Sequence, residues 1–287
     1  MAFPAVESTA TTGRTAAETT SPVTFPATIS PNALIVCIAR CAVAGAIGWP
    51  VNWVELVEDS SDASDDVTAI AYFTAVGNED GTTFNVTHGS GKSAYIVYSI
   101  TGAEAPATQA PQISTVAVGT VSPVDPTSLT PTGGAKDYLW LWLGGWEGEQ
   151  TSPPAGNPTN YSTPLGASTG AGGAITTNCR VASAQRNLNA ASEDPPSWAI
   201  SVNDDWSAWT MAVHPAGTQT FSQTLTSTAV VSTATRQLQD NKPLTASVVS
   251  AAATMLRALT FGRTLTASLV STVASMTRAL TFGWTLS

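Results

Sequence analysis

The chain has 287 residues, a length that suits one large domain or two small ones. Only 11% of the residues are charged, against roughly 25% in ordinary soluble domains. The formal net charge of -9 argues against binding to nucleic acid or to anionic membranes, because both attract clustered basic side chains. The two histidines, His88 and His214, offer little material for imidazole catalysis or a metal site, and we expect no cofactor.

Residues 1–20 contain neither a basic nor an apolar segment, so we expect no signal peptide. The sequence contains no run of about 18 apolar residues, so we expect no transmembrane helix.

The three cysteines, Cys37, Cys41 and Cys179, do not have metal-binding spacing. On one strand Cys37 and Cys41 would lie about 13 Å apart at ~3.3 Å per residue, too far for a disulfide. We expect three buried thiols, with pairing of Cys179 to one of the others as the alternative.

Short apolar or alternating runs are separated by clusters of Gly, Pro, Asn and Asp through the first three-quarters of the chain. β-Branched and aromatic residues dominate these runs, which favours strands. No segment before His214 has the 3.6-residue period of a helix, so we predict an all-β domain, a β-sandwich or jelly roll, over residues 1–217. The predicted strands are 33–39, 53–57, 67–76, 82–87, 93–100, 138–143, 175–186, 198–202 and 206–213.

Two turn-like segments contain residues that bind ligands in other proteins. The segment "EDSSDASDDV", residues 58–67, offers several carboxylates but lacks the spacing of a calcium loop, which favours a solvated turn over a calcium site. The segment "HGSGK", residues 88–92, has Val86 where a phosphate-binding loop requires Gly, so it predicts a hairpin turn. Neither segment predicts a bound ion.

Three proline-rich segments, residues 106–111, 122–134 and 152–164, interrupt the predicted strands. Proline donates no hydrogen bond to a β-ladder, so these segments are turns, edge strands or crossings between sheets. A jelly roll requires crossings of this kind.

The segment "DYLWLWLGGWEG", residues 137–148, is apolar on both faces of a strand. Its aromatic face is either a platform for stacking sugar rings or part of a core. Each such ring buries roughly 150–250 Å², and leaving all of them in water would forfeit several kcal/mol. We therefore favour burial in a core or interface. The aromatic face consists of Tyr138, Trp140 and Trp142, and the leucine face of Leu139, Leu141 and Leu143.

Other tryptophans lie beside carboxylates near predicted loops, which is typical of sugar-binding sites. Trp146 follows two glycines, and Trp206 and Trp209 follow Asp204. We name these four residues as the candidate glycan-binding residues, with a core position for Trp206 and Trp209 as the alternative. A glycoside hydrolase would need two carboxylates roughly 5–10 Å apart in a cleft, and nothing in the sequence predicts such a cleft.

Residues 218–287 have a different character, rich in Thr, Ser, Ala and Leu. The segment "RALTFGRTLTAS" begins at Arg257, and "RALTFGWTLS" begins 21 residues later at Arg278; "LTASVVS" and "LTASLVS" have the same offset. Units this small cannot bury their own apolar faces, so they stack on one another or on other subunits. The predicted assembly residues are Leu244, Leu265, Arg257, Arg278, Phe261 and Phe282.

The local pattern of these repeats leaves helix and strand open. Leu265, Leu269, Val273, Met276 and Leu280 follow the three- and four-residue steps of an amphipathic helix. The alternation over residues 265–269 and the abundance of Thr, Val and Ser instead favour a strand. We favour extended or strand structure.

Residues 20–216 resemble a group of tailed-bacteriophage and prophage proteins, described as tail-fibre, minor structural or hypothetical virion proteins. The resemblance is carried by the order "ALIVCIAR", "WPVNWVELVEDSS", "KSAYIVYSITGA" and "ASEDPPSWAISVNDDWSAWTMAVHPAG". It implies a β-sandwich of jelly-roll or lectin-like type, and the repeats after residue 217 resemble Ser/Thr-rich repeats at the ends of phage structural proteins. Trp142 departs from the group, in which an aliphatic residue is usual at that position.

Two hypotheses follow for function. The first is a non-enzymatic virion protein, a fibre, tail-associated or capsid-decoration component, that contacts other virion proteins and forms a homo-oligomer, a trimer if it is a fibre, through residues 218–287. The second is a carbohydrate-binding module for host surface glycans that stacks sugars on Trp146, Trp206 and Trp209. A glycan-degrading enzyme is a third and less favoured reading, because the "G-x-S-x-G" motif is absent and histidine is scarce.

Overall fold

A computed structural model describes residues 2–59, 66–148, 153–170, 178–201 and 203–217, together with five strands beyond residue 217. The chain divides into two compact units, Met1–Gly217 and Thr218–Ser287. The prediction of an all-β protein is confirmed, since the described part of the chain contains strands and one four-residue helix, α1 (Pro106–Gln109). Within that part, no helix is long and apolar enough to cross a bilayer.

The first sheet of unit 1 is built from the first five strands, in the order β1-β5-β2-β4-β3, and every pairing is antiparallel. β5 pairs with β1 along one edge and with β2 along the other. The sheet is therefore complete before the chain begins the second one. Its strands are β1 (Ala5–Thr24), β2 (Leu34–Cys41), β3 (Val54–Asp59), β4 (Val67–Thr74) and β5 (Thr83–Thr101).

The second sheet contains the remaining strands of unit 1 and is also antiparallel. Its order is β6-β11-β8-β10-β9, and β7 pairs with β11 beside β6. The central strand, β8, is paired with β10 over its whole length and with β11 over most of it. The strands are β6 (Gln112–Ile113), β7 (Ala117–Gly119), β8 (Lys136–Glu147), β9 (Ser162–Ser168), β10 (Cys179–Ala190) and β11 (Trp206–Val213).

The two sheets pack face to face over an aliphatic core. Alternate side chains of β8 point into it, where they meet the inward faces of β2, β4 and β5. Trp209 and Met211 of β11 complete the layer. The leucine face of the central strand is thus one half of the sandwich interior. Residues from the two sheets that form this core include Val36, Ile38, Ile70, Ile96, Tyr98, Leu139, Leu141, Leu143 and Val181.

The aromatic face of β8 lies on the far side of the same sheet and is also buried. Trp140 and Trp142 are each 0% exposed. Trp198, from the segment between β10 and β11, packs edge-to-face on Trp142 with ring centroids 5.1 Å apart, and Trp140 Nε1 donates to the carbonyl of Leu188 at 3.1 Å. The prediction that these rings are core residues, and not an exposed platform, is confirmed.

The outer face of the first sheet is closed in the same way by loops. The segment between β2 and β3 bridges to β5, where the backbones of Gly48 and Thr87 exchange hydrogen bonds of 2.7 and 3.0 Å. Ile47 and Trp53 of this segment pack against the outer face, and Trp53 stacks on Phe84 with ring centroids 4.7 Å apart. Unit 1 therefore has three apolar layers for two sheets, and each sheet is covered on both faces.

Residues 88–92 are not the hairpin turn that the sequence predicts. They continue a single strand, β5, that joins the predicted strands 82–87 and 93–100. The glycines serve close packing: a Cβ on Gly91 would lie 2.6 Å from a methyl carbon of Val43, and a Cβ on Gly89 would lie 2.7 Å from the carbonyl oxygen of Ala44. The prediction is wrong because glycine here admits a neighbouring segment and does not reverse the chain.

The described residues of unit 2 form five strands in the order β12-β14-β13-β15-β16. β13 and β15 pair in parallel, with Ser247 opposite Ser268 and Val248 opposite Leu269. Both pairs are 21 residues apart, the offset of the sequence repeat. The strands are β12 (Phe221–Ser227), β13 (Ser247–Val249), β14 (Ala252–Leu259), β15 (Leu265–Ser271) and β16 (Met276–Phe282).

The predicted assembly residues fall on these strands or outside them. Arg257 lies in β14 and Leu265 in β15, whereas Arg278 and Phe282 lie in β16. Leu244 and Phe261 lie outside the described residues.

Replacement of Trp140 by Ala tests the burial of the aromatic face. We expect the variant to lose about 3–5 kcal/mol of the free energy of unfolding, because a large buried ring is removed and a cavity remains. The matched control is Val51→Ala, since Val51 is 88% exposed and surface changes of this kind fall within about 0.5 kcal/mol. Both are measured by denaturant unfolding of unit 1. Equal stability of the two variants would show that the ring is not buried.

Candidate functional site

One end of the sandwich holds a buried polar cluster between the sheets. Arg40, near the end of β2, is 1% exposed and forms an ion pair with Asp66. It also donates to Thr68 Oγ1 at 2.7 Å and to Ser207 Oγ of the second sheet at 3.3 Å. A Cβ on Gly145 would lie 2.8 Å from Arg40 Cδ, so glycine at that position makes room for the guanidinium group. The cluster joins the sheets through the hydrogen bond from Arg40 to Ser207, and Asp66 of the first-sheet side balances the charge.

This cluster corrects one prediction about the segment 58–67. Asp66 is buried and paired with Arg40, not solvated; residues 60–65 lie outside the described part of the chain. The signal in the sequence was a single charged residue, Arg40, inside the apolar run "ALIVCIARC", because a buried charge requires a partner.

A second contact crosses between the sheets at the same end. Lys92 Nζ, from β5, donates to Asn178 Oδ1 at 2.8 Å. Thr169 Oγ1 donates to the same oxygen at 3.3 Å, and the N–H of Gly148 donates to the Asn178 carbonyl at 3.1 Å. Glu147, at the end of β8, is 6% exposed. Lys92, Asn178 and Glu147 thus lie on neighbouring positions of the backbone where β5, β8 and β10 meet.

A third cluster on the outer face of the first sheet resembles the arrangement of a cysteine nucleophile and its base. Cys41 Sγ lies 3.2 Å from His88 Nδ1, and His88 Nε2 lies 2.8 Å from Ser21 Oγ. Ser21 Oγ donates to Glu18 Oε1 at 2.9 Å, and Arg14 Nε donates to the same carboxylate oxygen at 2.6 Å. A thiol, an imidazole and a carboxylate in sequence are the parts of an activated nucleophile.

The hydrogen bonds and burial of this cluster do not activate the thiol. The carbonyl oxygen of Gly89 lies 2.7 Å from His88 Nδ1, and a carbonyl only accepts, so Nδ1 carries a proton and cannot take one from Cys41. Burial raises the pKa of Cys41 to about 11. Burial also raises the pKa of Cys179 to about 12, and that of Cys37 well above its usual value. The three thiols are unpaired and buried, as the sequence predicts.

The other histidine has a structural setting as well. His214 Nε2 lies 3.2 Å from Gln112 Oε1, and its ring meets the edge of Tyr138 at a centroid distance of 5.1 Å. Burial, together with the positive charge of Lys136, lowers the pKa of His214 to about 4. Among the residues that the structure describes, no group of three His, Cys, Asp or Glu side chains could hold a metal ion.

The four predicted glycan-binding residues offer no stacking surface. Trp146 lies in β8 opposite Trp206, not in a loop, and is fully buried. Trp206 is 7% exposed and donates its indole N–H to the carbonyl of Val121 at 2.8 Å, and Trp209 lies in the inter-sheet core. Asp204 accepts a hydrogen bond from its neighbour's N–H, and burial raises its pKa. The predicted loop at Trp146 is wrong because the strand continues through the two glycines to Glu147.

No protein-family model, curated protein or solved structure matches the chain. Function is therefore inferred from the contacts, burial and charges of this molecule. In unit 1 the described residues relevant to function form three polar clusters: Arg40 with Asp66, Lys92 with Asn178, and Cys41 with His88.

The thiols provide a test of whether the cluster around Cys41 is chemically active. We expect no fast reaction of the folded protein with a disulfide reagent at pH 8, since the thiolate is the reactive form and burial disfavours it. In denaturant, all three thiols should react.

The matched variant is Cys41→Ser, which should lower the count in denaturant by one and leave the native trace unchanged. One equivalent that reacts fast in the native protein and disappears in Cys41→Ser would identify Cys41 as an activated nucleophile.

Proposed function

We propose that the chain is a non-enzymatic structural protein of a bacteriophage particle, located at the particle surface or tail. In this proposal residues 1–217 form a rigid body that contacts other virion proteins, and residues 218–287 assemble copies of the chain. The observation that carries it is the parallel pairing of β13 with β15 at the 21-residue offset of the repeat. Repeats that pair position by position form arrays that lengthen by adding units.

The character of unit 1 supports a structural role. Its sheets are covered on both faces, and the buried side chains of Arg40 and Asn178 make contacts between strands. The Cys41–His88 pair, the arrangement closest to a nucleophile and base in the described residues, has its imidazole proton directed at a carbonyl. A rigid, covered interior without an activated nucleophile suits a structural role better than catalysis.

For the form of the sandwich, we propose two sheets made in succession. The chain completes β1 to β5 in one sheet before β6 to β11 form the other. The jelly-roll form expected from the sequence would instead build each sheet from strands in both halves of the chain, as two Greek keys do. The strand order therefore supports a sandwich of sequential sheets as the rigid body.

The repeat also supports self-association as the mode of assembly. Residues 276–280 of β16 stand 21 positions after residues 255–259 of β14. In β14 those positions pair with β12, whereas β16 forms the edge of the described sheet. An edge strand presents unpaired backbone groups to another chain. A β12 strand from a second copy would match the edge of β16, which gives a homo-oligomer, and a trimer is the expected form for a fibre.

Glycan binding, the alternative suggested by the sequence, gains no support from the aromatic residues. Trp146, Trp206 and Trp209 are buried in unit 1, and a sugar ring stacks only on an exposed aromatic face.

Truncation after Gly217 tests the assembly role of unit 2. We expect the full chain to form an oligomer and the shortened chain to be a monomer with an unchanged unfolding transition for unit 1, because the pairing strands are removed and its core is not. Light scattering coupled to size exclusion gives the two masses, and circular dichroism checks the fold. The same number of subunits in both proteins would contradict the assembly role.

A further inference from the structure

The contact between Lys92 and Asn178 brings together an amine and a carboxamide, the two groups that an isopeptide bond joins. Lys92 lies on the face of β5 that points to the second sheet, since Ala94 and Ile96, at alternate positions, belong to the inter-sheet core. Asn178 is 0% exposed, immediately before β10. Its Nδ2 has no hydrogen-bond partner among the described residues. A buried carboxamide thus presents its carbonyl to an amine and leaves its nitrogen unengaged.

Glu147 lies next to this pair in the strand register. Glu147 lies opposite Cys179 in the register of β8 and β10, and the next residue, Gly148, hydrogen-bonds the Asn178 backbone. Cys179 Sγ contacts the backbone carbonyl of Lys92 at 3.6 Å, so β5 lies against this point of the second sheet. Leu143 and Gly145 of β8 face the first sheet, and Glu147 occupies the next position on the same face of the strand. It therefore faces the space between the sheets where Lys92 enters.

The reaction requires a neutral amine, which forms when an ammonium group gives a proton to a carboxylate. Where the carboxylate is buried, this transfer removes the cost of holding its charge away from water. The fold then holds the neutral amine against the carboxamide, so the two groups react as parts of one molecule and need not meet by diffusion. Thr169 Oγ1 already donates to Asn178 Oδ1 at 3.3 Å, the oxygen on which negative charge develops.

We propose that Lys92 and Asn178 join through an intramolecular isopeptide bond, with Glu147 as the proton carrier. Glu147 takes a proton from the Lys92 ammonium, and the Nζ lone pair attacks Asn178 Cγ. The tetrahedral intermediate loses a second Nζ proton, the Cγ–Nδ2 bond breaks, and Nδ2 leaves with protons returned through Glu147. The products are one Nζ–Cγ amide and one ammonium ion. Hydrogens and charge balance, nothing is oxidised or reduced, and Glu147 ends in its starting state.

The bond would fasten the two sheets at the end where the apolar core gives way to polar groups. Lys92 belongs to the first sheet, and Asn178 leads into the second. A cross-link between distant positions restricts the unfolded chain and so favours the folded state. Unlike a disulfide, an amide is not opened by reduction. This inference concerns unit 1 alone and does not depend on the assembly proposed for unit 2.

The intact mass of the full chain tests the bond directly. We expect the folded, purified protein to be lighter than its sequence by one ammonia, and to stay so after denaturation and reduction. Trypsin should fail to cut after Lys92, and the peptide of residues 137–180 should remain joined to the one that contains Lys92. Lys92→Arg, Asn178→Ala and Glu147→Gln should each restore the full mass, with a lower melting temperature than the wild type.

The control is Lys136→Arg, which removes a lysine elsewhere in unit 1 and should keep the mass deficit. A wild-type protein of full mass, after prolonged incubation in the folded state, would overturn the proposal. A deficit that persists in Lys92→Arg would also overturn it, because the ammonia would then come from another site. A deficit retained in Glu147→Gln would remove Glu147 from the reaction. If a variant does not fold, the tryptic map of the wild type decides alone whether the two peptides are joined.

Discussion

The structure depends on the two-sided burial of its central strand, β8. A strand whose alternate residues are leucines and large aromatics must cover both faces, since each exposed ring would forfeit a few kcal/mol. The leucine face packs on the first sheet, and the aromatic face packs under the segments that connect the outer strands. The outer face of the first sheet is likewise covered by the segments that connect its own strands. The low charge of the chain follows, because so many strand positions face an apolar layer.

Two basic residues, Arg40 and Lys92, reach across this interior at one end, and each binds a partner there. Arg40 is balanced by Asp66 and bound by hydroxyls from both sheets. Lys92 reaches Asn178 across the same gap. Each contact ties the first sheet to the second, where a purely apolar interface would leave their relative position less defined. A body held in this way would suit the particle component proposed above, in which the repeats of unit 2 would provide the edges through which copies join.

The sequence predicts what depends on local period and misses what depends on contact between distant segments. β8 and its two faces are predictable because a period of two over apolar residues has one interpretation. β1 is missed because Ala5–Thr24 is rich in Thr, Ala and Glu, lies at a sheet edge and pairs only with β5. Residues 88–92 and 144–145 contain glycines that admit neighbouring groups, although glycine also marks turns. The Lys92–Asn178 contact joins residues that no local pattern connects.

Hydrogen exchange of the β8 amides tests the two-sided burial most directly. If both faces are covered and both edges are paired, the amides from Tyr138 to Trp146 exchange only when unit 1 unfolds globally, with one common opening free energy. Amides of β7, at the margin of the same sheet, exchange faster through local opening. Exchange of the β8 amides at the rate of β7, with the protein folded, would contradict the account.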